Sequence, residues 1–208
     1  MVISELQTPH GPARAHVAAV EGASAAIVLG HGAGGGVAAR DLATATSAAR
    51  SLGLTSVLVE QPYRVAGKKA PPRAPQLDAA WVAVIGQLRA ERFGALPLIV
   101  GGRSSGARVA CRTAEAVAAV GVLCLAFPLR PPRREGAAPA PSRLPELEAV
   151  RVPILIVQGL RDPFGMPPEG AGRRIVEVEG DHSLRSEHPR IARAIRDWLS
   201  SLTGRVAC

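Results

Sequence analysis

The stretch from residue 98 to residue 111, LIVGGRSSGARVAC, decides the fold prediction. Its first three residues form an apolar run of strand length, and Ala107 opens a helical pattern. Between them lies Gly102-Arg103-Ser104-Ser105-Gly106, a match to G-x-S-x-G, in which a serine occupies a tight strand-to-helix turn. Flanking glycines permit the strained backbone that exposes the hydroxyl. The stretch therefore predicts that Ser104 is a nucleophile, and a turn without chemistry is the alternative.

The rest of the chain alternates between apolar runs of strand length and segments of helical periodicity. This alternation is typical of a mostly parallel sheet of about seven strands with helices on both faces. The predicted strands are Ala15 to Val20, Ala25 to Leu29, Leu54 to Glu60, Leu96 to Val100, Val122 to Phe127, Val152 to Gln158 and Arg174 to Glu179. The predicted helices are Ala38 to Leu52, Gln76 to Glu91, Ser105 to Val120 and Pro189 to Leu202.

The predicted strands and helices leave too few residues for a second domain or a large lid. The most irregular stretch, Pro128 to Pro145, is rich in proline and arginine and is predicted as a surface crossing between two strands. No internal linker divides the chain, so we expect one domain over residues 1–208 that buries its core without disulfides or metals. With little chain available between Pro128 and Val150, we predict an open cleft.

Composition excludes several classes of protein. The formal charge of +8 rests on arginine, but an aromatic content of 3% leaves few rings to stack on bases, so nucleic acid is not the expected partner. No apolar run reaches the length of about 18 residues that spans a bilayer, and Met1 to Gln7 lacks the pattern of a secretory signal. We therefore expect a soluble cytoplasmic protein.

The three cysteines fit neither a disulfide framework nor a zinc site. They are widely spaced, and no two form a C-x-x-C pair. Cys111 and Cys124 lie in apolar stretches and are predicted to be small core residues, while Cys208 ends the sequence. We expect neither a metal nor a cofactor.

Two later loops can supply the partners that a serine nucleophile needs, a base and a carboxylate that orients it. Asp162 follows the apolar strand 152–158, and His182 follows the strand 174–179. The carboxyl ends of parallel strands share one edge of a sheet, so both loops are expected near Ser104. Asp181 adjoins His182 in sequence and is poorly placed to face it. A turn-initiating Asp-Pro and an ordinary loop histidine are the alternatives for Asp162 and His182.

A glycine-rich loop, Gly30-His31-Gly32-Ala33-Gly34-Gly35-Gly36, follows an early strand. Its backbone N–H groups can hold a developing negative charge, and we predict Ala33 and Ser105 as the two oxyanion donors, with His31 bracing the loop. The same residues, Gly30 to Gly35, satisfy G-x-G-x-x-G, and Glu60 could then hold a ribose hydroxyl. A dinucleotide-binding protein is therefore a second hypothesis, although it leaves the serine turn unexplained.

The chain resembles the α/β-hydrolase superfamily over almost its whole length. It is similar to the compact dienelactone-hydrolase-like members and to a hydrolase-like family that includes a subunit of a chromatin-modifying complex. The resemblance rests on residues 30–34, 60–64, 101–108, 159–165 and 180–182. It implies triad roles for Ser104, Asp162 and His182 and oxyanion roles for Ala33 and Ser105. Dienelactone hydrolases carry cysteine at the nucleophile position, so their substrate is not implied, and some relatives are interaction scaffolds without catalysis.

Four arginines follow predicted strands at the edge where such sheets bind ligands: Arg64, Arg103, Arg130 and Arg161. Guanidinium groups suit carboxylate and phosphate, so we hypothesise that some of them hold an anionic small-molecule substrate. Internal pairing with Glu60 or another carboxylate is the alternative. The expected function is a carboxylesterase-like serine hydrolase that cleaves a small ester or related acyl bond through an acyl-enzyme on Ser104, with a catalytically silent scaffold as the alternative.

Overall fold

The computed structural model describes residues 1–132, 136 and 140–206, and its centre is one eight-stranded sheet. The strands lie in the order β1-β2-β4-β3-β5-β6-β7-β8. β1 and β2 pair antiparallel, β2 also runs antiparallel to β4, and the six strands from β3 to β8 are parallel. The strands are β1 Val2–Leu6, β2 Ala13–Ala18, β3 Ala26–Gly30, β4 Thr55–Glu60, β5 Leu98–Arg103, β6 Gly121–Leu125, β7 Ile154–Gly159 and β8 Arg173–Val178.

Helices connect the parallel strands and cover both faces of the sheet. They are α1 Arg40–Arg50, α2 Pro62–Val65, α3 Ala74–Leu88, α4 Ser105–Thr113, α5 Leu144–Glu148 and α6 His188–Val206, with a π-helical segment Arg89–Phe93 after α3. Among the described residues, no helix combines the length and the apolarity that crossing a membrane requires.

The core consists of two apolar layers because side chains alternate across the buried strands. On one face, Trp81 of α3 and Val109 of α4 pack with Val100 of β5. On the other face, residues of α1 and α6 such as Leu42 and Ile195 pack with strand residues of opposite register. A parallel sheet covered on both faces explains why β3, β5, β6 and β7 read as continuous apolar runs.

The predicted fold class is confirmed, with one correction to the number of strands. The sheet has eight strands rather than about seven, because Val2–Leu6 forms an additional edge strand. The sequence pattern missed this strand because Val2 and Ile3 are exposed at 57% and 59% and the strand is held by backbone pairing with β2. An edge strand with one open side has little apolar periodicity to detect.

Several helix bounds also differ from the predictions. α4 ends at Thr113 rather than Val120, and turns follow it up to Ala118, which adopts a left-handed φ of 48°. The described part of the crossing from β6 to β7 contains only the short α5, and its residues 133–135 and 137–139 lie outside the described residues. Cys111 and Cys124 are buried in the core as predicted, whereas Cys208 lies outside the described residues.

Candidate active site

Ser104 lies at the turn between the central strand β5 and α4. Its backbone adopts φ 53° and ψ −109°, a conformation that costs free energy for a residue with a Cβ atom. The N–H of Ser104 donates to the Leu125 carbonyl at 2.9 Å, which ties the turn to the neighbouring strand β6. The tightness of the turn is visible at Gly106, where a Cβ atom would overlap the carbonyl oxygen of Gly30. The small residue is required because α4 starts against the backbone of β3.

The structure brings Ser104, His182 and Asp162 into one line of hydrogen bonds. The Ser104 Oγ lies 2.8 Å from His182 Nε2, and His182 Nδ1 lies 2.8 Å from Asp162 Oδ2. With the proton on Nδ1, the imidazole donates to the carboxylate and accepts from the hydroxyl. The three residues come from loops that follow β5, β7 and β8, at the carboxyl edge of the sheet. This arrangement can transfer the serine proton to a base whose tautomer is set by a carboxylate.

The Asp162 side chain is almost fully buried, at 1% exposure, and is surrounded by donors. Its Oδ1 accepts the N–H of Phe164 at 2.9 Å, while its Oδ2 accepts Gln158 Nε2 at 2.8 Å in addition to the imidazole. The Phe164 ring also packs against His182, with ring centroids 4.3 Å apart. Sequence reasoning missed both neighbours. The signal that could have found Gln158 is its position as the one amide within the apolar run of β7.

The glycine-rich loop after β3 is held from two sides. His31 is buried, and its Nε2 accepts the N–H of Gln61 at 3.1 Å while its Nδ1 donates to the Gly32 carbonyl at 2.8 Å. Burial lowers the pKa of His31, so the ring is neutral and serves as a brace. The hydroxyl of Tyr63 donates to the carbonyl of Ala33 at 2.9 Å. Fixing two successive carbonyls fixes the direction of the N–H groups of the loop.

The two predicted oxyanion donors remain available in this arrangement. Within the residues that the structure describes, neither the N–H of Ala33 nor that of Ser105 has an acceptor.

The structure supports the dinucleotide-binding hypothesis less well than the hydrolase hypothesis. Glu60 Oε2 lies 3.0 Å from His16 Nε2 on the adjacent strand β2, so the acid of that hypothesis is already engaged.

A model of the α/β hydrolase domain matches residues 23–191, which is most of the chain and includes all three residues of the hydrogen-bonded line. The chain belongs to this α/β hydrolase domain family. The resemblance noted in the sequence is thereby confirmed. Among curated protein sequences, none matches this hydrolase chain.

Solved structures of α/β hydrolases superpose on nearly the whole chain. A lidless α/β serine hydrolase from Xanthomonas campestris is 20% identical, with a TM-score of 0.71 over 96% of this chain and 94% of that one. Est1E from Butyrivibrio proteoclasticus is 13% identical, with a TM-score of 0.78 over 98% and 100% of the two chains. Dienelactone hydrolase from Anabaena variabilis is 14% identical, with a TM-score of 0.71 over 98% and 96%. At these identities, the similarities establish the fold of the hydrolase chain.

The four arginines occupy different surroundings in the hydrolase fold. Arg103 is largely buried, and its guanidinium faces Asp41 and the backbone of His182. Arg161 pairs with Glu179 at 3.0 Å on the exposed surface, where such a pair contributes little stability. Both therefore make the internal pairing that was the alternative from the sequence, with carboxylates other than Glu60.

The other two arginines, Arg64 and Arg130, lie on the surface at the carboxyl edge of the sheet. Arg64 directs Nη1 to the carbonyl of Lys68 at 3.4 Å. Arg130 is exposed, and its backbone N–H donates to the carbonyl of Phe164 at 2.9 Å, so its main chain lies beside the residue whose ring packs on the imidazole.

Proposed function

We propose that the protein is a serine hydrolase that cleaves small esters through an acyl-enzyme on Ser104. The observation that carries the proposal is the unbroken line of hydrogen bonds from hydroxyl to imidazole to carboxylate, with 2.8 Å at both steps. The left-handed φ of 53° at Ser104 supports it, because strain at a non-glycine residue is retained where the surrounding structure uses it. Asp162 is the orienting acid, and His182 is the general base.

The reaction has two halves, and in each of them His182 first takes a proton and then donates it. Ser104 Oγ attacks the ester carbonyl carbon while His182 Nε2 takes the hydroxyl proton, and the carbonyl oxygen becomes an oxyanion that the N–H groups of Ala33 and Ser105 stabilise. Collapse of this intermediate breaks the bond to the alcohol, which leaves with the proton from the imidazole. Water then attacks the acyl carbon, His182 takes its proton and returns it to Ser104, and the carboxylic acid is released.

The substrate is a small ester, and one whose acyl or alcohol part carries a negative charge is favoured over a neutral one. Ser104 and His182 are neither fully buried nor exposed, and the His182 side chain keeps 17% of its surface open to solvent, which suits a short or exposed ester. Arg130 stands at the same edge, beside Phe164. Replacing Arg130 with alanine is expected to raise KM for a carboxylate-bearing ester and to leave KM for its neutral counterpart unchanged. Equal changes for both esters would contradict the role of Arg130 without affecting the role of Ser104.

A fluorophosphonate probe tests the nucleophile directly, because it reacts with an activated serine hydroxyl and remains bound. We expect the wild-type protein to be labelled, Ser104→Ala to lose the label completely, and His182→Ala to react at least 100-fold more slowly, on the order expected when a general base is removed. Ser47→Ala, at an exposed serine on α1, is the matched control and should be labelled like the wild type. A folded wild-type protein that resists the probe would refute the proposal and favour the scaffold hypothesis.

A further inference from the structure

One arginine beside the nucleophile joins three separate parts of the fold. Arg103 Nε lies 2.9 Å from Asp41 Oδ2 in the first turn of α1, and Arg103 Nη2 donates to the carbonyl oxygen of His182 at 3.0 Å. Arg103 Nη1 lies against Gly32, where an added Cβ atom would approach it to 2.9 Å. A single guanidinium therefore contacts helix α1, the loop that carries His182 and the glycine-rich loop.

The charge of Asp41 depends on this arginine. The Asp41 side chain is 1% exposed, and its Oδ1 accepts the N–H of Leu42 at 2.9 Å. Burial raises the pKa of Asp41, and the positive charge of Arg103 acts in the opposite direction. Within the part of the chain that the structure describes, Arg103 is the one cation in salt-bridge contact with this carboxylate. Because breaking a buried pair leaves an uncompensated charge, the pair holds Arg103 in one position.

The loop that carries His182 contains strained backbone. Leu184 and Glu187 have φ values of 45° and 53°, in the left-handed region that side chains with a Cβ atom rarely adopt. At the end of this loop, His188 Nδ1 lies 2.9 Å from Thr44 Oγ1 on α1. Helix α1 thus holds this loop at two points, at His182 through Asp41 and Arg103 and at His188 through Thr44.

We propose that the Arg103–Asp41 pair positions the imidazole of His182 by holding the main chain of that residue. This inference rests on the proposed function, because it assigns His182 the role of base. The guanidinium contacts the carbonyl oxygen of His182 and not its ring, so Arg103 is a positioning residue. The contact limits how far Nε2 can move from Ser104 while the proton is transferred in each direction. It also replaces the earlier hypothesis that Arg103 holds the substrate.

The test compares Arg103→Gln and Asp41→Asn with a matched control, Arg112→Gln. Arg112 has the same side-chain exposure of 18% and pairs with Asp78 and Glu146 away from the site. With a neutral p-nitrophenyl ester, Arg103→Gln is expected to lower kcat on the order of 10- to 100-fold with KM within about twofold, since a misplacement of about 1 Å can cost about 100-fold. Asp41→Asn should lower kcat in the same direction, and Arg112→Gln should leave kcat unchanged.

Two further measurements respond to positioning and not to general stability. Amide hydrogen exchange should accelerate in peptides covering residues 180–188 in Arg103→Gln and Asp41→Asn, but not in Arg112→Gln. Arg103→Lys should restore part of kcat, because an ammonium group can reach Asp41 or the His182 carbonyl but lacks the fork that reaches both.

The outcomes separate the possible explanations. An Arg103→Gln variant that raises KM only for anionic esters would overturn the proposal and return Arg103 to substrate binding. Equal losses of kcat in the Arg103 and Arg112 variants would overturn it in favour of general destabilisation. If Arg103→Gln does not fold, an Asp41→Asn variant with wild-type kcat would overturn it. If the wild type resists the fluorophosphonate probe, the proposed function fails, while hydrogen exchange still decides whether the pair anchors the loop.

Discussion

Replacing Gln158 with glutamate is a demanding test of the surroundings of Asp162. Gln158 is fully buried, and its Nε2 lies 2.8 Å from Asp162 Oδ2 and 3.1 and 2.9 Å from the carbonyl oxygens of Phe127 and Gly165. Three acceptors around one nitrogen fix the orientation of the amide. Gln158→Glu keeps the shape of the side chain and places a second carboxyl group among those acceptors.

The expected cost can be worked out from this geometry. Two buried carboxyl groups in hydrogen-bond contact resist ionising together, so the introduced glutamate keeps its proton in the folded protein, with a pKa above its ordinary value of about 4.3. An acid whose pKa is raised by folding loses stability as the pH rises from its unfolded pKa to its folded pKa. The loss is about 1.4 kcal/mol per pH unit, or about 3 to 4 kcal/mol by pH 7 if the folded pKa exceeds 7.

Urea unfolding at pH 5 and pH 7 measures this loss, with Gln158→Met as the matched control. The methionine variant lacks both the donor and the charge, so it should lose a pH-independent amount of about 1.5 to 3 kcal/mol, the usual value of a hydrogen bond to a charged group. The difference in free energy of unfolding between the two variants should grow by about 2 to 3 kcal/mol between these pH values. If that difference stays constant, the introduced carboxyl group is not buried beside Asp162, and the reasoning is wrong.

Two further predictions concern the loop and turn that frame the site. Gly106→Ala should lower the free energy of unfolding by at least about 1 to 3 kcal/mol, because its Cβ atom would overlap the carbonyl of Gly30 in the central strand β3. Thermal unfolding measures this loss, and the control is Gly36→Ala, where a Cβ atom meets nothing within 4 Å. Burial lowers the pKa of His31 in the folded protein, so as the pH drops the imidazole is protonated in the unfolded state before it is protonated in the folded state. The free energy of unfolding should therefore fall below pH 6.5, by up to about 1.4 kcal/mol per pH unit. Urea unfolding between pH 5 and 8 measures this slope, and a His31→Gln variant with the wild-type slope would show that another group causes it.

The parts of the fold that were predictable from the sequence are those that bury continuous apolar surface. The strand β5 was visible because buried parallel strands have no polar alternation, although it runs to Arg103 and does not end at Val100 as predicted. The helix that starts at Ser105 was visible from its apolar periodicity. β1 was not visible, since Val2 and Ile3 face solvent and backbone pairing holds them. The end of α4 at Thr113 was missed for a related reason, because the turns that follow it also bury apolar residues such as Val117.

The candidate site divides in the same way. Ser104, Asp162 and His182 could be selected because each follows a strand and strand ends share an edge. The partner of Arg103 could not be selected, because it depends on how α1 packs against β5. Among the carboxylates that could pair with the arginines, the sequence allowed only Glu60 to be named, and Glu60 contacts His16 on β2. Charged side chains choose partners by tertiary position, which periodicity does not encode.

The two buried carboxylates beside the site, Asp41 and Asp162, differ in the cation that each one faces, and this difference suits the first to a structural role and the second to catalysis. Asp41 faces Arg103, a cation at every accessible pH, so its charge is balanced permanently. Asp162 faces His182, which is a cation only after it has taken a proton, and within the described residues no arginine or lysine lies in salt-bridge contact with it. Its charge in the resting state is instead dispersed by donors such as the amide of Gln158. A permanent cation there would weaken the attraction between carboxylate and imidazolium, whereas neutral donors leave most of that attraction to act when the base becomes charged.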